Sequence, residues 1–225
     1  MLNYEVDSKR LEDYVPLGTT LDSFDGKTYL SLVGFQFCRT RLFGAFRIPF
    51  HSDFEEVNLR FYVRRRVGNE DRRGVVFIAE IVPKPVVACV ARLAYGENYI
   101  SLPMKHRVGA QEQAKSARYE WLFEGRWNKL YANATAAPAP AEAGSLEQFI
   151  TEHYWGYSNR RGGGSLEYNV SHVPWNVSPA TAAGFEGNVS GLYGSELAAV
   201  LQRSPDSAFI TAGSPVVVFK GEKFR

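Results

Sequence analysis

The chain has 225 residues, 45% of them hydrophobic and 14% aromatic, with 20 glycines and 11 prolines; this suffices for a large core and argues against a helical bundle, because aromatics suit pleated, half-buried surfaces that Gly and Pro punctuate. A formal charge of +2 is too small to argue for nucleic acid, and no stretch approaches the roughly 18 apolar residues of a membrane span. Cys38 and Cys89 are the only cysteines, too few for a disulfide framework, so with no apolar leader in MLNYEVDSKR the expectation is a cytoplasmic protein with two free thiols.

In chain order, a polar N-terminal segment precedes a turn at Asp25-Gly26 and a strand from Lys27 to Thr40, apolar on both faces and therefore central. Gly44 to Ser52 reads as a loop. Phe54 to Arg64, FEEVNLRFYVR, sorts into two faces by the period of a strand. Val57, Leu59, Phe61 and Val63 form an apolar face, and Glu56, Asn58, Arg60, Tyr62 and Arg64 form a polar ladder. This ladder is either a wet outer face or the polar wall of a pocket. Gly68-Asn69 is a hairpin turn in an Arg-rich tip, and Gly74 to Val82 is a second buried strand, apolar on both faces apart from Glu80.

Pro85 opens a short covering helix with Val87, Val90, Ala91 and Ala94 on one face, ended by Gly96. Tyr99 to Val108 is extended, with Pro103 marking an edge, bulge or bend. Arg118 to Glu124 and Trp127 to Ala132 form a hairpin around Gly125. Residues 134–144, ATAAPAPAEAG, read as a flexible surface loop within a single domain spanning 1–225. Ser145 and Gln148 make a capping box for a short helix with Leu146, Phe149 and Ile150. Tyr154 to Ser158 and Leu166 to His172 are strands around the glycines at 162–164, Leu192 to Gln202 is a helix, and Val216 to Phe219 is the last strand.

The residues that could carry chemistry are few. His51, His106, His153 and His172 lack the spacing of a preformed metal site, and no GxSxG elbow or phosphate-loop pattern exists. Neither a metal nor a cofactor is expected. Lys105 shares a strand face with Arg107, a neighbour that would favour a neutral amine capable of imine formation; the alternative is a solvated pair on an edge strand. Glu56 and Arg60 could equally form a surface ion pair worth roughly 0 to 1 kcal/mol.

LDSFDGKTYLSLVGF, FEEVNLRFYV, RGVVFIAEIVP, LPMKH and HVPW follow one another in order between about Val15 and Phe219, and together they resemble the YqjF-like family of unknown function (DUF2071-type), itself similar to acetoacetate decarboxylase. The resemblance implies an α+β, mostly β fold: a twisted antiparallel β-barrel with an interior cavity and a few short covering helices. It aligns Glu56 with a cavity glutamate and Pro103-Met104-Lys105 with the Pro-Lys-Lys motif. Met104 then occupies the position of the Schiff-base lysine. A thioether cannot form an imine, so the parent decarboxylation is not implied, and Lys105 matches only the second lysine.

The combined expectation is a protein that binds a small polar, anionic metabolite inside the barrel. Arg60 would clamp the anion, Glu56 would orient it or exchange a proton, Asn58 and Tyr62 would hydrogen-bond, and Met104 would form an apolar wall. A lyase or proton-transfer enzyme using Glu56 or Lys105 is the second expectation, and a ligand-free scaffold is the third. No nucleic acid or membrane partner is expected.

Overall fold

The computed structural model describes residues 1–38, 53–111, 114–160 and 162–224. The expected loop from Gly44 to Ser52, and His51, lie outside the described residues. Seventeen strands and three α-helices are present among them. They are β1 (Leu2–Val6), β2 (Thr20–Leu21), β3 (Thr28–Phe37), β4 (Phe54–Val67), β5 (Glu70–Val82), α1 (Pro85–Tyr95), β6 (Tyr99–Ser101), β7 (Met104–Gln111), β8 (Ala114–Phe123) and β9 (Arg126–Ala134). β10 (Ala139–Pro140), α2 (Leu146–Thr151), β11 (Trp155–Asn159), β12 (Ser165–Ser171), β13 (Asn176–Pro179), β14 (Ala182–Glu186), α3 (Ser190–Leu201), β15 (Ser207–Thr211), β16 (Val217–Val218) and β17 (Glu222–Phe224) follow.

Thirteen strands form one sheet, with the path β10-β13-β15-β1-β3-β4-β5-β11-β12-β16 and with β17 on β12, β2 on β4 and β6 on β5. The order β14-β9-β8-β7 forms a second sheet. The fold is thus mostly β with few helices, as expected. No pairing among the described residues closes the first sheet into a barrel.

The two sheets face each other across the main core. Val57, Leu59 and Phe61 of β4 meet Trp121, Leu130 and Phe185 of the second sheet, with Leu197 and Leu201 of α3 at one side. Their approach is close at Gly34, where a Cβ would lie 2.5 Å from the Tyr119 ring. Pro103 marks the crossing between sheets: β6 before it pairs with β5, and β7 after it pairs with β8. A prolyl nitrogen has no hydrogen to give a ladder, so the chain changes partners there.

The opposite face of β4 is also buried. α2 covers one end through Phe149 and Ile150, which pack on Tyr29 and Tyr62. α1 covers the other end, where Ala88 packs on Phe54 and Val82. Pro85 stands in the first turn of α1 and Gly96 ends it in the left-handed conformation, but burial centres on Ala88 and not on the expected face of Val90 and Ala91. Between Leu59 and Arg60 the β4–β5 register shifts by a bulge, which turns both Ile78 and Ala79 into the main core. Bulges re-aim the side chains beside them.

The turns at Asp25-Gly26 and Glu124-Gly125 have positive φ at both residues, the geometry that suits a tight two-residue hairpin. Several expectations need correction. The N-terminal segment is not a polar lead-in but β1, with Leu2 and Tyr4 fully buried between β3 and β15. The expected loop at 134–144 carries β10, paired with β13. The last strand is β17, not the one at Val217, and it docks on β12. Arg65 stacks over Phe224 at 3.7 Å and joins Glu167 at 2.7 Å, so the Arg-rich hairpin is a latch for β17 as well as a solvated tip.

Candidate functional site

From Glu56 to Tyr62 the polar ladder lies on the buried side of β4 that α1 and α2 cover and is not a wet outer face, whereas Arg64 at its end is exposed. Glu56 and Asn58 are each 1% exposed, Tyr62 is also 1% exposed, and Arg60 is half-buried. Asn58 Nδ2 donates to Glu56 Oε1 at 3.1 Å, and the Tyr99 hydroxyl donates to Glu56 Oε2 at 3.1 Å. Two residues along the strand, Arg60 donates through Nη2 to the carbonyl of Ile150 at 3.3 Å, where α2 ends. The expected cross-face pair of Glu56 and Arg60 is therefore replaced by separate partners, although the guanidinium still draws the Glu56 pKa downward.

Two further glutamates complete a carboxyl cluster. Register places Glu80 directly opposite Asn58 and beside Tyr99. Glu97, in the turn after α1, accepts a 2.8 Å hydrogen bond from the Tyr168 hydroxyl of β12. Glu80 and Glu97 are 3% and 6% exposed. Burial, reduced by the Asn58 and Tyr99 hydrogen bonds, pushes Glu56 up to about 7. Burial and the charge of Glu56 push Glu97 to about 8, against the Tyr168 hydrogen bond. Glu80 is raised well above the ordinary carboxylate range by burial and by the charges of Glu56 and Glu97. Like charges in a dry site cannot all ionise, so the cluster retains protons at neutral pH.

On this face, β4 and β5 carry three buried atoms with no hydrogen-bond partner among the described residues: Asn58 Oδ1, Glu80 Oε2 and Arg60 Nε. Beyond Phe77, on the same side of the sheet as Glu80, β5 loses a neighbour. β11 pairs only at Gly74 and Val75, and β6 begins opposite Glu80. The gap is a cleft of about 170 Å³ bordered by Asp13, Phe77, Glu97, Asn98, Ser158 and Asn159. Glu97 thus belongs both to this cleft and to the cluster.

At the other end of the ladder stands a second group. His153 Nε2 lies 3.2 Å from Asp22 Oδ2, and Arg73 Nε donates to the same oxygen at 2.7 Å. Burial lowers His153 to about 4 despite its hydrogen bond with Asp22. Burial alone would raise Asp22, but hydrogen bonds with His153 and Arg73 outweigh it and hold the carboxyl at about 2. The pair is a neutral imidazole beside a carboxylate. The Tyr62 hydroxyl and Ser31 Oγ share a 2.7 Å hydrogen bond, and the Tyr62 ring lies 4.7 Å from that of His153.

The structure does not bring Met104 or Lys105 to the ladder. Met104 packs with the main core on the other face of β4. Lys105 is exposed on β7, 3.7 Å from Glu120 and 4.1 Å from the Trp127 ring. It is the solvated member of an ion pair, because Pro103 has moved the chain to the second sheet and position 105 there faces water. Sequence reasoning missed Glu97, Tyr99, Tyr168, Asp22 and His153 as site residues. A lone carboxylate in GVVFIAEIV was a visible signal for Glu80, whereas nothing local marks the others. Among the described residues no group of three or more His, Cys, Asp or Glu side chains is placed to hold a metal ion.

The chain is 26% identical over 181 residues, 80% of its own length and 72% of the relative's, to the uncharacterized protein YqjF of Bacillus subtilis. Its fold is similar to that of acetoacetate decarboxylase from Legionella pneumophila, with a TM-score of 0.62 at 11% identity over 100% of this chain and 83% of that one. The enduracididine biosynthesis enzyme MppR complexed with pyruvate gives a TM-score of 0.67 at 12% identity, over 99% and 86% of the two chains. The family match extends over residues 1–216. The chain therefore belongs to the DUF2071 family of uncharacterized conserved proteins.

Proposed function

We propose that the protein binds a small polar, anionic metabolite on the buried face of β4, where Glu56, Asn58, Glu80 and Tyr99 hydrogen-bond its oxygens and Arg60 takes its charge. The observation that carries this reading is the line of unpartnered atoms, Asn58 Oδ1, Glu80 Oε2 and Arg60 Nε, on one interior face. A buried polar atom without a partner costs about 1 to 3 kcal/mol, so three along one wall mark a surface built to meet ligand or water. Protonated carboxyls suit such a ligand, since a neutral Glu can donate to a carbonyl or carboxylate oxygen that an ionised Glu would repel. The pyruvate complex of a protein of similar fold supports the ligand class.

The same reading takes the chain as one cytoplasmic domain whose large sheet curls, barrel-like, around this wall. The two exposed, free cysteines fit a reducing compartment. A second reading, proton-transfer or lyase chemistry, is favoured by the proton-holding cluster of Glu56, Glu80 and Glu97. It assigns general acid–base work to a carboxyl and not imine formation to Lys105.

The test is a melting-temperature series with pyruvate, acetoacetate, acetate and a neutral ester control. Binding at 100 times Kd stabilises by about 2.7 kcal/mol. A saturable rise with the acids, lost in Arg60→Gln, supports the reading; equal responses to acids and ester would sink it. Product analysis by NMR in the same samples separates binding from turnover.

A further inference from the structure

Four strands place polar side chains in one row beneath α2. Ser207 of β15 is the register partner of Asn3 in β1, Asn3 of Ser31 in β3, and Ser31 of Arg60 in β4. Register partners project to the same side of a sheet, so this row crosses the ladder at Arg60. Ser31 Oγ donates to Asn3 Oδ1 at 2.7 Å and shares its other hydrogen bond with the Tyr62 hydroxyl. α2 roofs the row: Phe149 lies 5.2 Å from the Tyr62 ring, Ser207 Oγ reaches Glu147 at 3.5 Å, and Ile150 accepts from Arg60.

Three atoms around Tyr62 are buried and have no hydrogen-bond partner among the described residues: Asn3 Nδ2, Arg60 Nε and His153 Nδ1. The first two are donors. The third is fixed as an acceptor, because Asp22 is a carboxylate and the neutral imidazole gives its only N–H, at Nε2, to it. The guanidinium and the imidazole both stand against Tyr62, at 5.7 Å and 4.7 Å from its ring centre. Two open donors and one open acceptor, on side chains grouped about Tyr62, match the polar set of a carboxylate with a hydroxyl on the adjacent carbon.

We propose that this row is a seat for a small 2-hydroxycarboxylate, with α2 as its cover. The carboxylate accepts from Arg60 Nε and Asn3 Nδ2, and the hydroxyl donates to His153 Nδ1, which Asp22 orients. Phe149 fills the space above Tyr62, so entry requires α2 to lift. The proposal rests on the ligand reading above, since Arg60 serves both; it adds the hydroxyl, the seat and the cover.

The experiment is a titration of the full chain with L-lactate, acetate and pyruvate, followed by ¹H–¹⁵N correlations of the imidazole and guanidinium groups. The free protein should show His153 with Nδ1 bare. Lactate should shift His153 and Arg60 Nε saturably and bind at least tenfold more tightly than acetate. His153→Phe should erase that preference while acetate binding survives, and Arg60→Gln should weaken both acids; near-UV circular dichroism checks that each variant is folded. Equal affinities for lactate and acetate, or saturable shifts confined to the backbone ¹H–¹⁵N signals of Glu56 and Tyr99, overturn the seat and leave the general ligand reading standing. If none of the three acids shifts any signal in the wild-type chain, both readings fall.

Discussion

Asn58 and Glu80 face each other across the β4–β5 ladder, 1% and 3% exposed, and each keeps one side-chain oxygen without a hydrogen-bond partner among the described residues. An amide oxygen and an ionised carboxylate so placed would both be bare acceptors. A proton on Glu80 makes one of them a donor, which agrees with the upward shift that burial and the charges of Glu56 and Glu97 impose.

The pH dependence of stability follows from that cluster. A carboxyl whose folded pKa exceeds its unfolded value binds more protons folded, so its contribution is fully present below the unfolded value and is lost as pH rises through the folded one. For Glu97 the window runs from its ordinary 4.5 to about 8. Glu97→Gln should therefore gain stability relative to the wild type as pH rises across this window, by on the order of 1 kcal/mol per pKa unit, and the gap should level off above it. Urea midpoints at pH values on either side of the window measure this; a constant gap would show that Glu97 is ionised throughout.

His153 gives the opposite slope. Its folded pKa of about 4 lies below the ordinary 6.5, so the folded state binds fewer protons between those values and stability falls as pH drops through the window. His153→Gln should flatten this acid limb, and the wild-type imidazole should titrate near pH 4 by NMR. An imidazole titrating at its ordinary value would refute the dry Asp22–His153 pairing.

Gly156 has no room for a side chain, because a Cβ there would lie 2.1 Å from Tyr168 Cζ. Gly156→Ala must push the Tyr168 ring, which holds Glu97 through its hydroxyl. Overpacking of this kind costs about 1 to 3 kcal/mol. The variant should melt lower, and its Glu97 titration should move upward as the hydrogen bond that lowers it is lost. A normal melting temperature with an unchanged titration would show that the ring has other space.

Lys105 offers the contrasting case. Its ion pair with Glu120 is long and its side chain is 53% exposed, and exposed pairs contribute about 0 to 1 kcal/mol. Lys105→Ala should leave the melting temperature and every ligand response almost unchanged. Borohydride treatment with pyruvate should attach no mass to residue 105; a stoichiometric adduct there would restore the imine reading.

The ladder was legible because a strand's period of two is a local property of the chain, and Val57 to Val63 against Glu56 to Arg60 displays it without any tertiary information. The Asp25-Gly26 turn, both ends of α1 and the hairpin at Gly125 were legible for the same reason: their signals lie within four or five residues. β1 was not, since NYEV reads as polar until β3 and β15 flank it. Glu97 and Tyr168 are 71 residues apart and Asp22 and His153 are 131 apart, so each half of these pairs looks ordinary alone. The family resemblance aligned Met104 and Lys105 with a catalytic motif, but the Pro103 crossing turns both away from the ladder.

The placement of β1 has a kinetic consequence. Leu2 stands opposite Leu32 on one side and Ala208 on the other, so the strand's second edge stays open until residue 208 has been made and brought back to it. Pairings this distant in sequence are slow to form, because loop closure precedes any reward from the contact. The β3–β4–β5 meander can assemble early from near neighbours. Arrival of β15 is then the late step, and mutations at the Leu2–Ala208 seam should speed unfolding while leaving the refolding rate almost untouched.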